Sequence, residues 1–545
     1  MRAKAILFVR DAQAGVEMTT VEYKPYIIDS GYLFPPSLAD FLGTEDEVHI
    51  FREVTEHLDI GGLDSAFNGM GQHPYHPRML LRLLMWGMAN RVVSTRRTEV
   101  LTRRDVSFIY LAGGQKPDFR TLARFRRRNA GAIKRLFTET VLLCARLGMV
   151  NLGHIALDGT KLKANASKHK AMSYGRMKQE EERLEGEIDE LMQQAEAADI
   201  EEDETFGADN NGYNLPEELQ RREERIEKIG QLRKELEEEK RLEQGLMESQ
   251  APVIEAKEQR SFADHDARMM LMKRGEFDYG YNAQACMDEG HGVIVAGDLT
   301  NEASDTGHLP EMVKEVRQLR DELGLTEEKK TVVTADSGYF SVENINKEGK
   351  GIELLIASGR EDKESSETKA RVYSVERFEF DKKGDCWRCP DGRLLVREKK
   401  RVSNGRPLLR RYECQDCADC FSRGHCLKPG EEYRTLLVKR KQLIRAEMRA
   451  RLKNPEKRAI YRKRKWVAEQ VIGQIKDSLG FRGVTMRGKE LACAQWLFTC
   501  AVHNVMKAVR YVSDLRRKQT VQISVSSGSG YCLLAGKPAA SFALT

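Results

Sequence analysis

The stretch HIALDGTKLKANAS, residues 154–167, decides how the rest of the chain is read. Its apolar run Ile155–Leu157 ends in an acid followed by glycine, the pattern of a short buried strand that delivers Asp158 at its tip. A second β-branched run, TVVTA, ends in the same way at Asp336, ahead of Ser337-Gly338-Tyr339. Around these two, YNAQACMD, GVIVAGDLT and IELLIASG read as further strands, and LPEMVKEVRQLRDELGL as a crossover helix. The combination predicts an α/β core. Carboxylates at the ends of neighbouring parallel strands converge at one sheet edge, where ligands commonly bind. A third acid, Glu469, falls on a helix that opens at Asn454-Pro455, a good N-cap followed by a good first helical residue. At about 100° per residue, Arg462, Lys465, Glu469 and Lys476 share one helix face, with Val467, Val471 and Ile475 forming an apolar stripe opposite.

Outward from this core, the 545 residues are 40% hydrophobic, enough for real cores and too many for a disordered chain. Residues 18–150 read as a helical N-terminal domain whose segment PDFRTLARFRRRN places Arg120, Arg124, Arg126, Arg127 and Arg128 on early helix turns, a surface suited to DNA. Residues 151–175 hold the first core strand, and 176–250 an inserted charged helical hairpin with a coiled-coil seam at Leu184, Ile188, Leu191, Ile226, Ile229, Leu232 and Leu236. Turn chemistry at Gly207–Leu215 separates its two helices. The core continues over 251–374 and is completed by basic helices over 431–517, before a Ser/Gly-rich tail, 518–545, that reads as disordered.

Charge is strongly segregated. Met177–Leu246 carries 24 acidic and 10 basic residues, so the net +6 of the whole chain leaves +20 elsewhere. Arg434–Lys465 alone holds 14 Lys and Arg against Glu447 and Glu456, a net of +12, the footprint expected of a surface that meets a phosphate backbone. No apolar run reaches the ~20 residues of a membrane span, and the first residues are too short in apolar character for a signal peptide. A soluble cytoplasmic protein, with no membrane partner, is therefore expected. No nucleophilic-serine motif, Walker loop or dinucleotide fingerprint is present.

Six of 11 cysteines fall in a 41-residue window, Cys386-x2-Cys389 and then Cys414-x2-Cys417-x2-Cys420-x5-Cys426. Paired Cys-x2-Cys knuckles in a chain with no secretion signal read as zinc ligands, each knuckle aiming two thiolates at one tetrahedral ion. Residues 375–430 are accordingly expected to be an inserted zinc ribbon, its structural Zn held by Cys386, Cys389, Cys414 and Cys417, with Cys420, His425 and Cys426 surplus to one site.

Several ordered segments together resemble the bacterial insertion-sequence transposases of the DDE type, in the branch with a helical N-terminal domain and a Tyr-Arg-Glu-Lys signature. They are LFPPSL (33–38), SFIYLAGGQKPDFRTLARFRRRN (107–129), LDGTKLKANAS (157–167), DYGYNAQACMD (278–288), TADSGY (334–339) and YRKRKWVAEQVIGQIK (461–476). The resemblance implies a ribonuclease-H-like catalytic core with Asp158, Asp336 and Glu469 as its acidic triad. Three carboxylates can hold two Mg²⁺ ions, with Mn²⁺ as a substitute, for in-line displacement at phosphorus. Tyr461, Arg464, Lys465 and Lys476 become the expected DNA contacts. In this sequence the residue four before Glu469 is Lys465, whereas Arg464 keeps its spacing to Tyr461, so either cation can take the arginine role of the signature. The implied activity is cutting at the ends of a mobile element and joining those ends to target DNA. The expected partners are double-stranded DNA at element ends and target, a second copy of the chain when assembled on DNA, and association with the bacterial nucleoid when bound. The alternatives are a nuclease that cuts without joining and a catalytically inactive, zinc-containing DNA-binding protein.

Overall fold

The computed structural model describes residues 37–63, 74–168, 171–206, 217–272, 275–358, 373, 375–398, 410–414, 416–427 and 430–526. The first four residues of LFPPSL, the Gly207–Leu215 break and the last 19 residues of the tail lie outside them.

Six helices come first: α1 (Glu47–Glu56), α2 (Pro77–Ala89), α3 (Thr95–Leu101), α4 (Val106–Leu111), α5 (Phe119–Arg128) and α6 (Ile133–Arg146). Asp46, Asp105 and Asp118 cap α1, α4 and α5 through their carboxylates, and Pro77 occupies the first turn of α2. The apolar faces of α2 and α6 bury Leu83, Met85, Leu136 and Val141 almost completely. α5 buries only Leu122 and Phe125 and leaves most of its arginines at the surface.

The central sheet follows, interrupted by a long excursion. Strand β1 (His154–Lys163) leads to β2 (Ala171–Ser173), then to helices α7 (Tyr174–Phe206) and α8 (Glu217–Glu243), and returns by β3 (Gln259–Ser261). β2 and β3 pair antiparallel, while Leu184, Ile229, Leu232 and Leu236 are buried along α7 and α8. The remaining core elements are β4 (Arg268–Leu271), β5 (Phe277–Asp288), β6 (Ile294–Thr300), α9 (Leu309–Glu322), β7 (Thr331–Ala335), α10 (Val342–Ile345) and β8 (Ile352–Ile356). The sheet order is β4-β5-β1-β7-β8, with β6 also on β5. β1 is antiparallel to β5 and parallel to β7, and β7 is parallel to β8. This is the mixed helical and sheet architecture with a helical N-terminus that the sequence predicts.

A second sheet, order β13-β12-β11-β10-β9, is built from β9 (Glu379–Asp381), β10 (Cys386–Arg388), β11 (Leu394–Arg397), β12 (Arg410–Cys414) and β13 (Thr435–Val438), with the short α11 (Arg423–Cys426) beside it. Its own small core centres on Phe380, Trp387, Leu395 and Tyr412. The chain then forms α12 (Arg440–Lys453), α13 (Pro455–Gly473), one π-helical turn at Gln474–Ser478, and α14 (Lys489–Ser526). The helix carries through residues 518–526, which corrects the expectation of a disordered tail from 518 onward. The glycines of that tail start only at Gly528, so nothing in 518–526 breaks the helix.

α14 ties the two halves together. Asn504 accepts from the Ile294 amide and donates to the Ile294 carbonyl, both at 2.9 Å, so its side chain behaves as an extra strand partner for β6. Trp496 donates to the Gln284 carbonyl of β5 at 3.1 Å. His503 is held neutral by burial, its pKa lowered to about 4, and bonds the Gly292 carbonyl at 3.0 Å. Leu136, Val141 and Cys144 of α6 belong to the same continuous core, and the Cys144 thiol reaches the Asn504 carbonyl.

Candidate active site

The β1–β7 register places the two aspartates. Pairing runs His154↔Val332, Ile155↔Val333 and Ala156↔Thr334. Continued two residues, the same register sets Asp158 opposite Asp336, on one face and just beyond the parallel pairing. Asp158 is not at the tip of its strand, as the sequence predicts. β1 runs on to Lys163 because its other edge stays paired with β5, where Asp158 faces Ala285. Gly159 therefore sits in a strand rather than a turn. Its missing Cβ matters for another reason: a Cβ there would stand 2.8 Å from the Gln284 amide nitrogen and 2.9 Å from Asp305 Oδ1.

Burial pushes the Asp158 carboxyl up to about 6; Arg464 and the Gly159 amide act in the opposite direction, and the negative charges of Asp336 and Asp305 add to the rise. Asp336 accepts from the Gly338 amide at 2.8 Å, the cap of a short 3-10 turn that holds the carboxylate at the sheet edge. Helix α13 lies across this edge with Val467, Ala468 and Val471 buried beneath it. Arg464 Nη1 stands 3.7 Å from Asp158 Oδ2, and its guanidinium lies 5.8 Å from the Tyr461 ring centroid. Burial raises the Tyr461 phenol, with the Asp336 charge adding to the effect, so Tyr461 faces the same cluster. The π-helical turn swings Lys476 onto β1, where its ammonium donates to the Thr160 hydroxyl, on the same strand face as Asp158.

Glu469 is the exception. Its side chain is 68% exposed and its carboxylate lies 3.8 Å from Lys465, on the solvent side of α13. The structure thus brings together Asp158, Asp336, Tyr461, Arg464 and Lys476, and leaves Glu469 and Lys465 paired to each other outside that group. Of the two cations that compete for the arginine position, Arg464 is the one at the acids. Among the described residues no three His, Cys, Asp or Glu side chains are already grouped so as to hold a metal ion.

Two family models match the chain: one described as a transposase DDE domain over residues 386–509, the other as a transposase domain over 40–128. The two matches support an insertion-sequence DDE transposase. No curated protein and no solved structure matches it. The second match spans α1 through α5 of the transposase, and the first runs from β10 through α13 into α14. A DDE domain implies a ribonuclease-H-like fold, which the mixed sheet of the transposase suits. Among its described residues no helix is long and apolar enough to cross a membrane.

A polar cluster on the adjoining face of β1 was missed in the sequence: Asp305, Gln284 and Lys161. Asp305 accepts from Asn282 at 2.7 Å and from Gln284 at 3.0 Å, and lies 3.6 Å from the Lys161 ammonium. Tyr339 donates its hydroxyl to the other end of Gln284. The signal was present in YNAQACMD, where polar Asn282 and Gln284 alternate within an otherwise apolar strand and are both fully buried. Buried side-chain N–H groups need acceptors, and Asp305 supplies them.

The basic block of the transposase is less free than its composition indicates. Arg451, Lys453, Lys457 and Lys463 form ion pairs with Glu348, Glu379, Glu353 and Glu289. Lys439, Arg440 and Lys441, at the start of α12, are exposed.

The cysteine window departs from the expected ligand set. Cys386 pairs with Val396 and Leu395 pairs with Cys414 across β10, β11 and β12. Paired residues share a face and successive residues alternate, so Cys414 lies with Trp387 and Leu395 on the buried face while Cys386 points to the opposite one. Cys386 and Cys414 cannot share one ion. His425 is also turned away, stacked on Tyr373 with ring centroids 6.3 Å apart.

Proposed function

We propose that this protein cuts DNA at the ends of a mobile element and joins those ends to target DNA by Mg²⁺-dependent phosphoryl transfer. The observation that carries this reading is the placement of Asp158 and Asp336 at matching register positions of two parallel strands, with Arg464, Tyr461 and Lys476 converging on them. The donor set is all oxygen, which suits a hard cation, and the mutual repulsion of Asp158, Asp336 and Asp305 is relieved by positive charge.

Asp158, Asp336 and Glu469 would hold the divalent ions, which supply Lewis acidity at the scissile phosphate and lower the pKa of bound water. For Glu469 to join them its side chain must leave Lys465. Breaking that exposed ion pair costs at most about 1 kcal/mol, and the solvent side of α13 must also turn toward the two aspartates. Asp158 must be ionised to serve, so the transposase works above the pH at which burial keeps it protonated. Arg464 favours the carboxylate form and sits where a phosphate oxygen would meet it in a fork of N–H donors. Lys476, held against Thr160, adds a point charge beside the same strand face, suited to the charge that develops on the phosphate in the transition state. The exposed Lys439, Arg440 and Lys441, together with the arginines of α5, would track the DNA backbone, and a second copy of the chain would complete the assembly on two DNA ends.

The test is incubation of purified protein and Mg²⁺ with duplexes carrying candidate element ends, with cut and joined strands mapped on a sequencing gel. Strand-transfer products support transposition. Cleavage without joining would instead make the protein a nuclease, and neither product with intact binding would make it an inactive DNA-binding copy.

A further inference from the structure

Five of the six clustered cysteines surround one small cavity beneath the second sheet: Cys389, Cys414, Cys417, Cys420 and Cys426. Cys386 is not among them, in keeping with its place on the far face of β10. The five are not equivalent. Cys420 donates its thiol to Asp391 Oδ2 at 3.1 Å, so a carboxylate already engages it. Cys389 instead accepts the Arg393 amide at 3.3 Å, in a turn closed by the Cys389 amide to the Arg393 carbonyl at 2.8 Å. Burial pushes the Cys414 thiol up to about 12, while it accepts the Asp416 amide and is hydrogen-bonded to Cys417. Amide donors aimed at sulfur are outer contacts of the kind that orient metal ligands. Cys426, buried at the end of α11, is the fourth thiol without a carboxylate partner, and Arg434 lies beside it to offset negative charge.

We infer that the second sheet carries a structural zinc site formed by Cys389, Cys414, Cys417 and Cys426, with Cys386 and Cys420 outside it. One ligand comes from the β10–β11 turn, two from the knuckle after β12 and one from α11; among the described residues these thiols are not yet grouped around an ion, so zinc would draw together and staple three separate segments of a unit with a core of its own. Small cores of that kind commonly need such a staple. Four thiolates select zinc in tetrahedral geometry, and binding releases the four thiol protons to solvent.

The test uses the full chain, expressed with zinc in the medium and dialysed against a moderate chelator, with metal measured by inductively coupled plasma mass spectrometry. About one zinc per wild-type chain is expected, with Cys386→Ser and Cys420→Ser retaining it and Cys426→Ser and Cys389→Ser losing at least tenfold. Cobalt substituted into the wild type should give the intense near-ultraviolet charge-transfer absorption of four thiolates. Cys426→His guards against simple misfolding: it should keep one equivalent of cobalt while that absorption falls by about a quarter. Loss of zinc from Cys386→Ser, full retention by Cys426→Ser, an unchanged cobalt spectrum in Cys426→His, or a folded wild type without zinc would each overturn the assignment.

Discussion

Replacing Asp158 by asparagine should abolish cleavage and at the same time make the catalytic sheet more stable. The carboxyl is moved from an ordinary aspartate value of 3.8 to about 6, mainly by burial, with its side chain only 25% exposed. At 1.36 kcal/mol per pKa unit, ionising it in the folded state costs at most about 3 kcal/mol relative to the unfolded chain. The sign follows from proton binding. Between pH 4 and pH 6 the folded state keeps a proton that the unfolded state releases, so stability falls as pH rises through this window and the full cost is reached above pH 6. Asparagine has the same shape and nothing to ionise. Its gain should be near zero at pH 4, grow between pH 4 and 6, and level off above. Because only the sheet is affected, the suitable assay is amide hydrogen exchange read by mass spectrometry on peptides from β1 and β5. Protection in Asp158→Asn at pH 7.5 should exceed wild type by up to about a hundredfold, with the ratio closing as pH approaches 4. Mg²⁺ should add protection to wild type and not to the variant. Equal or faster exchange in the variant at pH 7.5, or a ratio that does not change with pH, would refute the reasoning.

Asp336→Ala and Glu469→Ala should each remove Mg²⁺-dependent cleavage while DNA affinity, measured by fluorescence anisotropy, changes by less than about threefold; near-normal cleavage in either variant takes that residue out of the site. Neutralising Lys439, Arg440 and Lys441 together should lower the slope of log affinity against log salt by up to about three, at roughly 0.9 per phosphate contact. An unchanged slope would mean that these cations serve solubility alone. Lys476→Ala should reduce the single-turnover cleavage rate more than binding, by about tenfold or more, since the ammonium is anchored at Thr160 beside Asp158. Equal losses in rate and binding would make it an ordinary backbone contact. Wild-type cleavage at limiting Mg²⁺ should rise with pH through about 6, where Asp158 gives up its proton, and a flat profile between pH 5 and 7 would count against its role as a metal ligand.

The strands of the core were legible because each is a short apolar or β-branched run bounded by turn residues, and periodicity is local information. The pairing of Asp158 with Asp336 was legible for the same reason, since both follow such runs on strands that the crossover pattern makes parallel. What could not be read was register. Whether Asp158 ends its strand depends on how far β5 continues beside it, and β5 lies more than a hundred residues away in sequence. The choice of cysteines turns on the same point. Spacing groups Cys386 with Cys389, but the alternation of a three-residue strand turns Cys386 to the opposite face, and only the pairing with β11 reveals which face is buried. Lys476 was placed by regular helical spacing, and the π-helical turn before it alters that spacing. Asp305 carries no pattern of its own, because it lies in the loop that follows β6 while its partners come from β5 and β1.

The paired strands β2 and β3 give the α7–α8 excursion a single doorway. The chain leaves and re-enters through three residue pairs, Ala171↔Ser261 to Ser173↔Gln259, reinforced by Tyr174 and Gly175 donating to the Glu258 and Ala256 carbonyls. Beyond that doorway the base of α8 also holds the core, Glu239 pairing with Arg268 of β4 and Glu235 with His265, so it is the parts of the two helices farther out that can lengthen, shorten or be exchanged without moving the register that aligns Asp158 with Asp336. The excursion is therefore a cassette. Arms from other sources, or a reporter domain with closely spaced ends, are best grafted beyond the Glu235 and Glu239 contacts, so that the base of α8 keeps its hold on β4.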